Sequence, residues 1–405
     1  MDIKQTLKKN RLIYEINARI KAALTTKSSN FLAQHYEQEA IRAGVAYDRV
    51  KVLACMRERL SARNVIVNPT PKGKLNIFLV GTNMEQDYSG FVQGLKKFGN
   101  LFEFKNQHGD YGLEPNSKKL DPLVKEANSF QLLAQIDAIY RNGGRIDVLI
   151  GQMWASHISV EALRQVQGRG IVTVGISMDD RLPVLWEGKA PRGLVGLVSG
   201  LDLVLTTCSD CCIRYLLAGC PAIFWPMASD PDLFKPAKNK DIDVSFVGNN
   251  YGTRGVIIRK LMESGIRVEA YGNGWANGYI GPEKISEVFG RSKIILGVGT
   301  VAYNNDIFTL KLRDFDATMS GALYLTHRSR DLLGVFSEDK ELACYSSTEE
   351  AICKIGYYLR NIASREKISA TAFDVARKRH TWEIRLRETL NLVGVLEDSL
   401  PLNQE

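Results

Sequence analysis

VSFVGNNYGTRGVIIRKL, residues 244–261, decides the fold. A short β-branched run ends in Gly248, a polar turn follows, and a helical pattern opens near Thr253. The same strand–turn–helix unit recurs downstream: VEAYG (268–272), a helix at 282–290, KIILGVG (293–299), a helix near 308–320, ALYLTH (322–327), ELACY (341–345) and long helices to about 395. Continuous apolar strands separated by amphipathic helices predict a parallel sheet covered on both faces.

Working upstream, the alternation is already present from Leu75. NIFLVG (76–81), LFEFKN (101–106), IDVLIG (146–151), IVTVGIS (171–177), LVLTT (203–207) and AIFWP (222–226) read as strands, with helices expected at 88–98, 119–141, 159–168 and 210–218. The segment PAIFWPMASDPDLFKP carries Pro221, Pro226, Pro231 and Pro236, a density that neither a central strand nor a helix tolerates. It predicts an extended crossing between two domains. The expected fold class is therefore α/β, with two Rossmann-like doubly wound domains, 75–228 and 236–375, facing across a cleft. Ligands of open α/β sheets bind outside the carboxyl ends of the strands, so that cleft is the expected site.

Residues 1–70 read as an N-terminal helical extension. Leu12, Ile16, Ile20 and Leu24 recur every four positions, a one-faced stripe, and further helices are expected near 30–43 and 47–62. Residues 376–405 hold a last helix, expected by analogy to cross back to the first domain.

Composition narrows the function classes. The 405 residues are 45% hydrophobic and 24% charged, which excludes a disordered or fibrous chain. No apolar run approaches the roughly 18 residues a membrane span needs. The opening MDIKQTLKKNRL lacks the apolar core of a secretory signal, so a cytoplasmic location is expected, with the inner face of the membrane as an alternative. The net charge is +8, and residues 1–70 hold 13 Lys/Arg against 6 Asp/Glu. The rest is nearly neutral, which argues against nucleic acid as a partner. The basic segment suits peripheral contact with an anionic membrane, or a solvated helix face. Cys208, Cys211 and Cys212 lack a second ligand pair at zinc spacing and read as small buried thiols.

Two loops have the chemistry of an anion site. The turn after Gly248, with Asn249 and Asn250, opens a helix whose free N–H groups suit phosphate, and Arg254 in its first turn adds a cation. It is not a G-x-G-x-x-G turn and has no P-loop lysine, so neither an NAD site nor an ATPase is indicated. In LGVGTVAYNNDIFTLKLRDFDATMSGALYLT (296–326), Gly299, Thr300 and Asn304 form the loop, and the next helix carries Lys311, Arg313 and Asp316. A cation for phosphate and a carboxylate for ribose hydroxyls on one helix suit a nucleoside diphosphate, while an ordinary surface ion pair has the same spacing.

Arg313-Asp-Phe-Asp-Ala-Thr-Met-Ser-Gly-Ala-Leu-Tyr-Leu-Thr resembles the R-x-F-E-A-x-A-x-G-x-x-x-L-T segment of group 1-type glycosyltransferases with the GT-B fold, and most nearly their spore-maturation, CgeB-like branch. Tyr271-Gly-Asn-Gly-Trp275, Asp339-Lys-Glu-Leu-Ala-Cys-Tyr, Arg379-His-Thr-Trp-Glu and Ala228 to Pro236 are similar to further segments of that branch, in the same order. The resemblance covers about 220–390. It implies a sugar-nucleotide donor, UDP- or GDP-linked, with its diphosphate at Gly248–Arg254 and Gly299–Asn305, Arg313 and Lys311 as cations, Asp316 at the ribose and Tyr271 to Trp275 near the base. Eight residues before Asp316, where that family places its first acid, stands Phe308; Asp306 is the nearest substitute. The implied acceptor is a glycan, a lipid-linked molecule or a protein.

Transfer needs a base for the acceptor's proton if the reaction inverts. His157, after IDVLIGQMWAS, and Asp179 and Asp180, after IVTVGIS, follow strand ends and are the catalytic candidates. No D-x-D motif stands at a strand end of the second domain, so no metal and no cofactor are expected. A sugar-nucleotide epimerase or hydrolase of the same fold and a non-catalytic nucleotide-sugar-binding relative are the alternatives.

Overall fold

The computed structural model describes residues 11–81, 90–116, 121–189, 191–301 and 303–397. Two compact units account for the chain, one of His35–Asp230 with Thr381–Glu405, the other of Met1–Gln34 with Pro231–His380. The passage at Asp230/Pro231 falls inside the proline-dense segment. The opening helices, read as an extension of their own, are divided between the two units.

α1 (Arg11–Ala43) runs without a break through TTKSSN, residues 25–30, where the sequence suggested separate helices. Thr25 Oγ1 donates to the Lys21 carbonyl at 2.8 Å, the back-bonding by which a helix accommodates such hydroxyls. The expected apolar stripe does not face a core: Ile16, Ile20 and Leu24 are 49%, 53% and 59% exposed. The buried side is made of Ala18, Ser29 and Ala40 instead. Small residues allow close approach, and apolar periodicity alone misidentified the inward face.

α2 (Arg49–Ala62) is capped by Asp48, whose carboxylate accepts from the Val50 and Lys51 N–H groups. Among its basic residues, Arg59 turns inward. Arg59 donates to the carbonyls of Gly219 and Leu201, and Arg63, just past the helix, forks onto buried Asp202 at 2.7 and 2.8 Å. Asp202 also accepts from the Thr173 N–H and from Gln167, so its charge is matched. Part of the positive excess of residues 1–70 is thus consumed in packing.

After β1 (Thr70–Pro71), the first unit builds a six-stranded parallel sheet from β2 (Leu75–Val80), β3 (Gly99–Glu103), β4 (Val148–Gln152), β5 (Val172–Ser177), β6 (Leu203–Thr206) and β7 (Ala222–Phe224). Their order is β3-β2-β4-β5-β6-β7. α3 (Phe91–Lys96), α4 (Pro122–Arg141), α5 (Val160–Gln167) and α6 (Cys212–Leu217) connect them. Every residue of β5 and β6 is buried, as a strand covered on both faces requires. Cys208, Cys211 and Cys212 are buried free thiols.

The second unit holds a five-stranded parallel sheet, ordered β12-β11-β10-β8-β9. Its elements are β8 (Ile242–Val247), α7 (Arg254–Glu263), β9 (Val268–Tyr271), α8 (Pro282–Arg291), β10 (Ser292–Leu296), α9 (Leu312–Met319), β11 (Leu323–His327), α10 (Arg330–Leu333), β12 (Ala343–Tyr345), α11 (Thr348–Arg360) and α12 (Ile362–Arg379). Val244, Phe246, Ile294, Leu296, Leu323 and Leu325 form its core with Ile257, Ile258 and Leu261 of α7. The chain leaves β8 for β9 on one side and returns to β10 on the other, so the topological switch point lies between the ends of β8 and β10. Beyond His380, α13 (Trp382–Leu392) packs against α3, and β13 (Leu396–Glu397) pairs parallel with β1, both within the six-stranded unit. Among the described residues, no helix is long and apolar enough to cross a membrane.

Candidate functional site

The switch point of the five-stranded sheet holds two arginines side by side. Arg254 opens α7 and is buried; Arg313 lies in the first turn of α9. Both guanidinium groups lie over the ring of Phe246, at 4.7 Å for Arg313 and 5.7 Å for Arg254, and Arg254 also covers Tyr251 at 4.3 Å. Arg313 Nε donates to the Val247 carbonyl at 2.8 Å and Arg254 Nη1 to the Asn249 carbonyl at 3.0 Å. Arg313 Nη1 is buried with no hydrogen-bond partner among the described residues. Burial, and then the neighbouring Arg313 charge, push Arg254 down to about 10, still a cation at pH 7. Two adjacent, partly desolvated cations with a donor unspent are what a dianion stabilises.

The backbone around them allows no side chain. Gly248 has φ +151°, and a Cβ there would stand 2.7 Å from Arg313 Nη2. Gly272, at φ +126°, presses on the Gly248 carbonyl group, 2.6 Å from where its Cβ would be. Trp275 closes the knot: its indole N–H donates to the Gly248 carbonyl at 2.6 Å and its ring meets Phe246 edge-on. It therefore serves as a pin for the Gly248 turn. Asn249 Oδ1 accepts from the Asn273 N–H, and Asn250 Nδ2 donates to the Gly274 carbonyl, so both asparagines tie the two loops together. Tyr271 contributes only its backbone here; its hydroxyl is turned to Glu269 at 2.9 Å.

The loop after β10 is stitched to this turn by Thr253 and Thr300, whose hydroxyls are 2.9 Å apart. The Gly299 N–H donates to His327 Nδ1 at 3.2 Å. Asn304 is buried and accepts a hydrogen bond from Thr26 of α1 at 2.7 Å. On α9, the Lys311 N–H donates to Asp314 and its ammonium to Thr309 at 2.5 Å, which turns the lysine toward its own loop. Asp316 is buried in the second turn of the same helix.

Sequence inspection missed Asp314 and His327. Asp314 is the first acid of R-D-F-D; it caps α9 through Lys311 and accepts from Tyr324 at 2.5 Å, with burial raising its pKa. His327 ends β11, stacks on Tyr345 with centroids 4.3 Å apart, and was legible only as a histidine closing a strand at its carboxyl end. Because its Nδ1 accepts from Gly299, its proton sits on Nε2. Burial lowers its pKa from 6.5 to about 4. Between those values the unfolded chain binds a proton that the folded chain does not, so stability falls as pH drops from about 6.5 toward 4. His327→Gln, which retains an acceptor, should remove a slope of about 1.4 kcal/mol per pH unit from denaturation curves measured across that window.

A cleft of about 1140 Å³ opens beside these loops, wholly within the five-stranded unit. Thr253, Asn304, Asp306, His327 and Ser347 line one side, at the carboxyl ends of the strands; the first part of α1 lines the other. Of the donor residues expected from sequence, Asn304 alone lines it; Arg254 follows the lining residue Thr253 in sequence, and neither Arg254 nor Arg313 is itself part of the lining.

The three catalytic candidates belong to the six-stranded unit. Asp180 is buried, its Oδ1 accepting from Ser177 at 2.5 Å and Tyr215 at 2.7 Å, its Oδ2 from Thr206 at 2.6 Å. Burial raises its pKa. A carboxylate so enclosed is a structural anchor for the ends of β5 and β6, which corrects its assignment as a base. Asp179 is partly exposed, and its carbonyl accepts from the Leu182 N–H. His157 follows β4, packs on Trp154 and has Ser156 Oγ 2.9 Å from Nδ1. Burial lowers its pKa, so it is neutral at pH 7 and able to take a proton.

Residues 230–391 match the model of the family described as glycosyl transferase-like. Solved structures of similar shape include sucrose-phosphate synthase from Thermosynechococcus elongatus, 12% identical, covering 78% of this chain and 98% of that one with a TM-score of 0.55. Anabaena HepE in complex with UDP-glucose is 11% identical over 78% and 98%, with a TM-score of 0.54. A glycosyltransferase from Rickettsia africae is 12% identical over 79% and 98%, with a TM-score of 0.55. No curated protein matches the sequence significantly. The fold is GT-B.

Proposed function

We propose that the chain is a glycosyltransferase of the CgeB-like branch that moves a sugar from a nucleoside diphosphate donor, UDP-linked before GDP-linked, to a hydroxyl of a glycan, lipid-linked or protein acceptor. One observation carries the proposal: at the switch point of a GT-B sheet, Arg254 and Arg313 stand together with a guanidinium donor unspent. The complexes of HepE with UDP and UDP-glucose support the choice of donor.

The chemistry follows from charge. As the bond between the sugar's anomeric carbon and the diphosphate oxygen breaks, the electron pair stays with the leaving nucleoside diphosphate. The two arginines, held in place by Phe246, Val247 and Asn249, stabilise that growing charge without reorganising. The acceptor oxygen bonds to the anomeric carbon and its proton passes to a general base.

Because guanidinium groups supply the neutralisation, transfer should continue in EDTA. The test is a product assay with UDP-glucose and candidate acceptors, with and without chelator. Acceptor-dependent UDP release that survives EDTA supports the proposal. Turnover of donor without acceptor would favour an epimerase or hydrolase.

A further inference from the structure

The first part of α1 lies outside the residues that match the family model, yet it belongs to the five-stranded unit and forms one wall of that unit's cleft. Two rows of side chains, each spaced by four residues, face the cleft. One is Arg19, Ala23, Lys27 and Phe31; the other is Ala22, Thr26, Asn30 and Gln34. On a helix these rows are adjacent and cover one face. The apolar row of Ile16, Ile20 and Leu24 points to solvent instead. Apart from Phe31, the cleft side of α1 is therefore made of small, polar and positive residues.

A specific bond fixes this wall. Thr26 Oγ1 donates to Asn304 Oδ1 at 2.7 Å across 278 residues of sequence. Asn304 is buried, and its own amide donates to the Val301 carbonyl, which assigns the oxygen to Thr26. The same loop is joined through Thr300 to Thr253, next to Arg254. A continuous set of contacts thus links α1 to the arginine pair.

We propose that α1 is a specificity wall of the donor site: Thr26 holds the loop 299–308 in place, and Arg19 and Lys27 bring positive charge to the cleft face opposite the strand ends, selecting an anionic nucleotide-linked sugar. This rests on the donor assignment above and extends it to residues that lie outside the family match at 230–391. Arg19 and Lys27 are both solvent-exposed, so their replacement should leave folding intact.

Calorimetric titration of UDP-glucose and GDP-glucose into the full chain decides the matter, using wild type, Arg19→Ala/Lys27→Ala and Arg313→Ala, each checked by thermal melting. A loss of about tenfold in affinity for the double variant, with an unchanged melting temperature, is the expected result for two exposed charge contacts. Thr26→Val should weaken binding in the same direction by freeing the loop. Unchanged or tighter binding in the double variant, while Arg313→Ala loses binding, overturns the role of α1 and leaves the donor site standing. Failure of wild type to bind either nucleotide sugar overturns both.

Discussion

Arg313→Ala is expected to weaken UDP binding by roughly 30- to 1000-fold, about 2–4 kcal/mol, the scale for removing one partner of a desolvated, hydrogen-bonded charge pair. The stability of the unliganded protein should respond far less. The variant loses the Nε bond to the Val247 carbonyl and the stacking on Phe246, but it also relieves repulsion with the buried Arg254 cation. A structural arginine would behave in the opposite way, with melting affected first and affinity second. Calorimetry and a thermal melt on the same preparation separate the two roles. Arg313→Lys keeps the charge and loses the fork, so it should recover only part of the affinity.

Gly272→Ala should be the most damaging single methyl group near the site. Its Cβ would stand 2.6 Å from both the carbonyl carbon and oxygen of Gly248 and 2.9 Å from the Asn249 nitrogen, all backbone atoms that no rotamer change can move aside. The φ of +126° adds strain for any residue with a side chain. A loss of about 3 kcal/mol or more is expected in urea denaturation, through displacement of the Gly248 turn. Binding of UDP should fall with it, because that turn positions both arginines. Gly274→Ala is the comparison: it meets the Asn250 Cβ at 3.1 Å, a side-chain atom, at φ +85°, and should cost less.

How much of this was legible beforehand follows from which forces are local. The strands were readable because each is a continuous apolar run ended by a glycine or a polar turn, and the parallel order follows from helices between every pair. The arginine pair was readable for a related reason. Arg254 opens a helix after a strand, and Arg313 sits in a motif with a known resemblance. Long-range contacts left no such trace. Nothing in TTKSSN announces a bond to Asn304, 278 residues away. Asp180 looked like a strand-end acid, and only the hydroxyls of Thr206 and Tyr215, brought in by other elements, make it an internal anchor. Nor does the sequence announce that the Trp275 indole N–H is spent on the Gly248 carbonyl. α1 shows the limit of periodicity: a row of isoleucine and leucine marks one face of a helix without saying that the face is buried.

The central claim is that the five-stranded unit grips a nucleoside diphosphate at the ends of β8 and β10. A crystal structure of the full chain with UDP tests it most directly. Phosphate oxygens within hydrogen-bond distance of the Arg254 and Arg313 guanidinium groups, beside the Gly248 turn, are the predicted result. Well-ordered UDP bound elsewhere on the chain, with both arginines uncontacted, would contradict it.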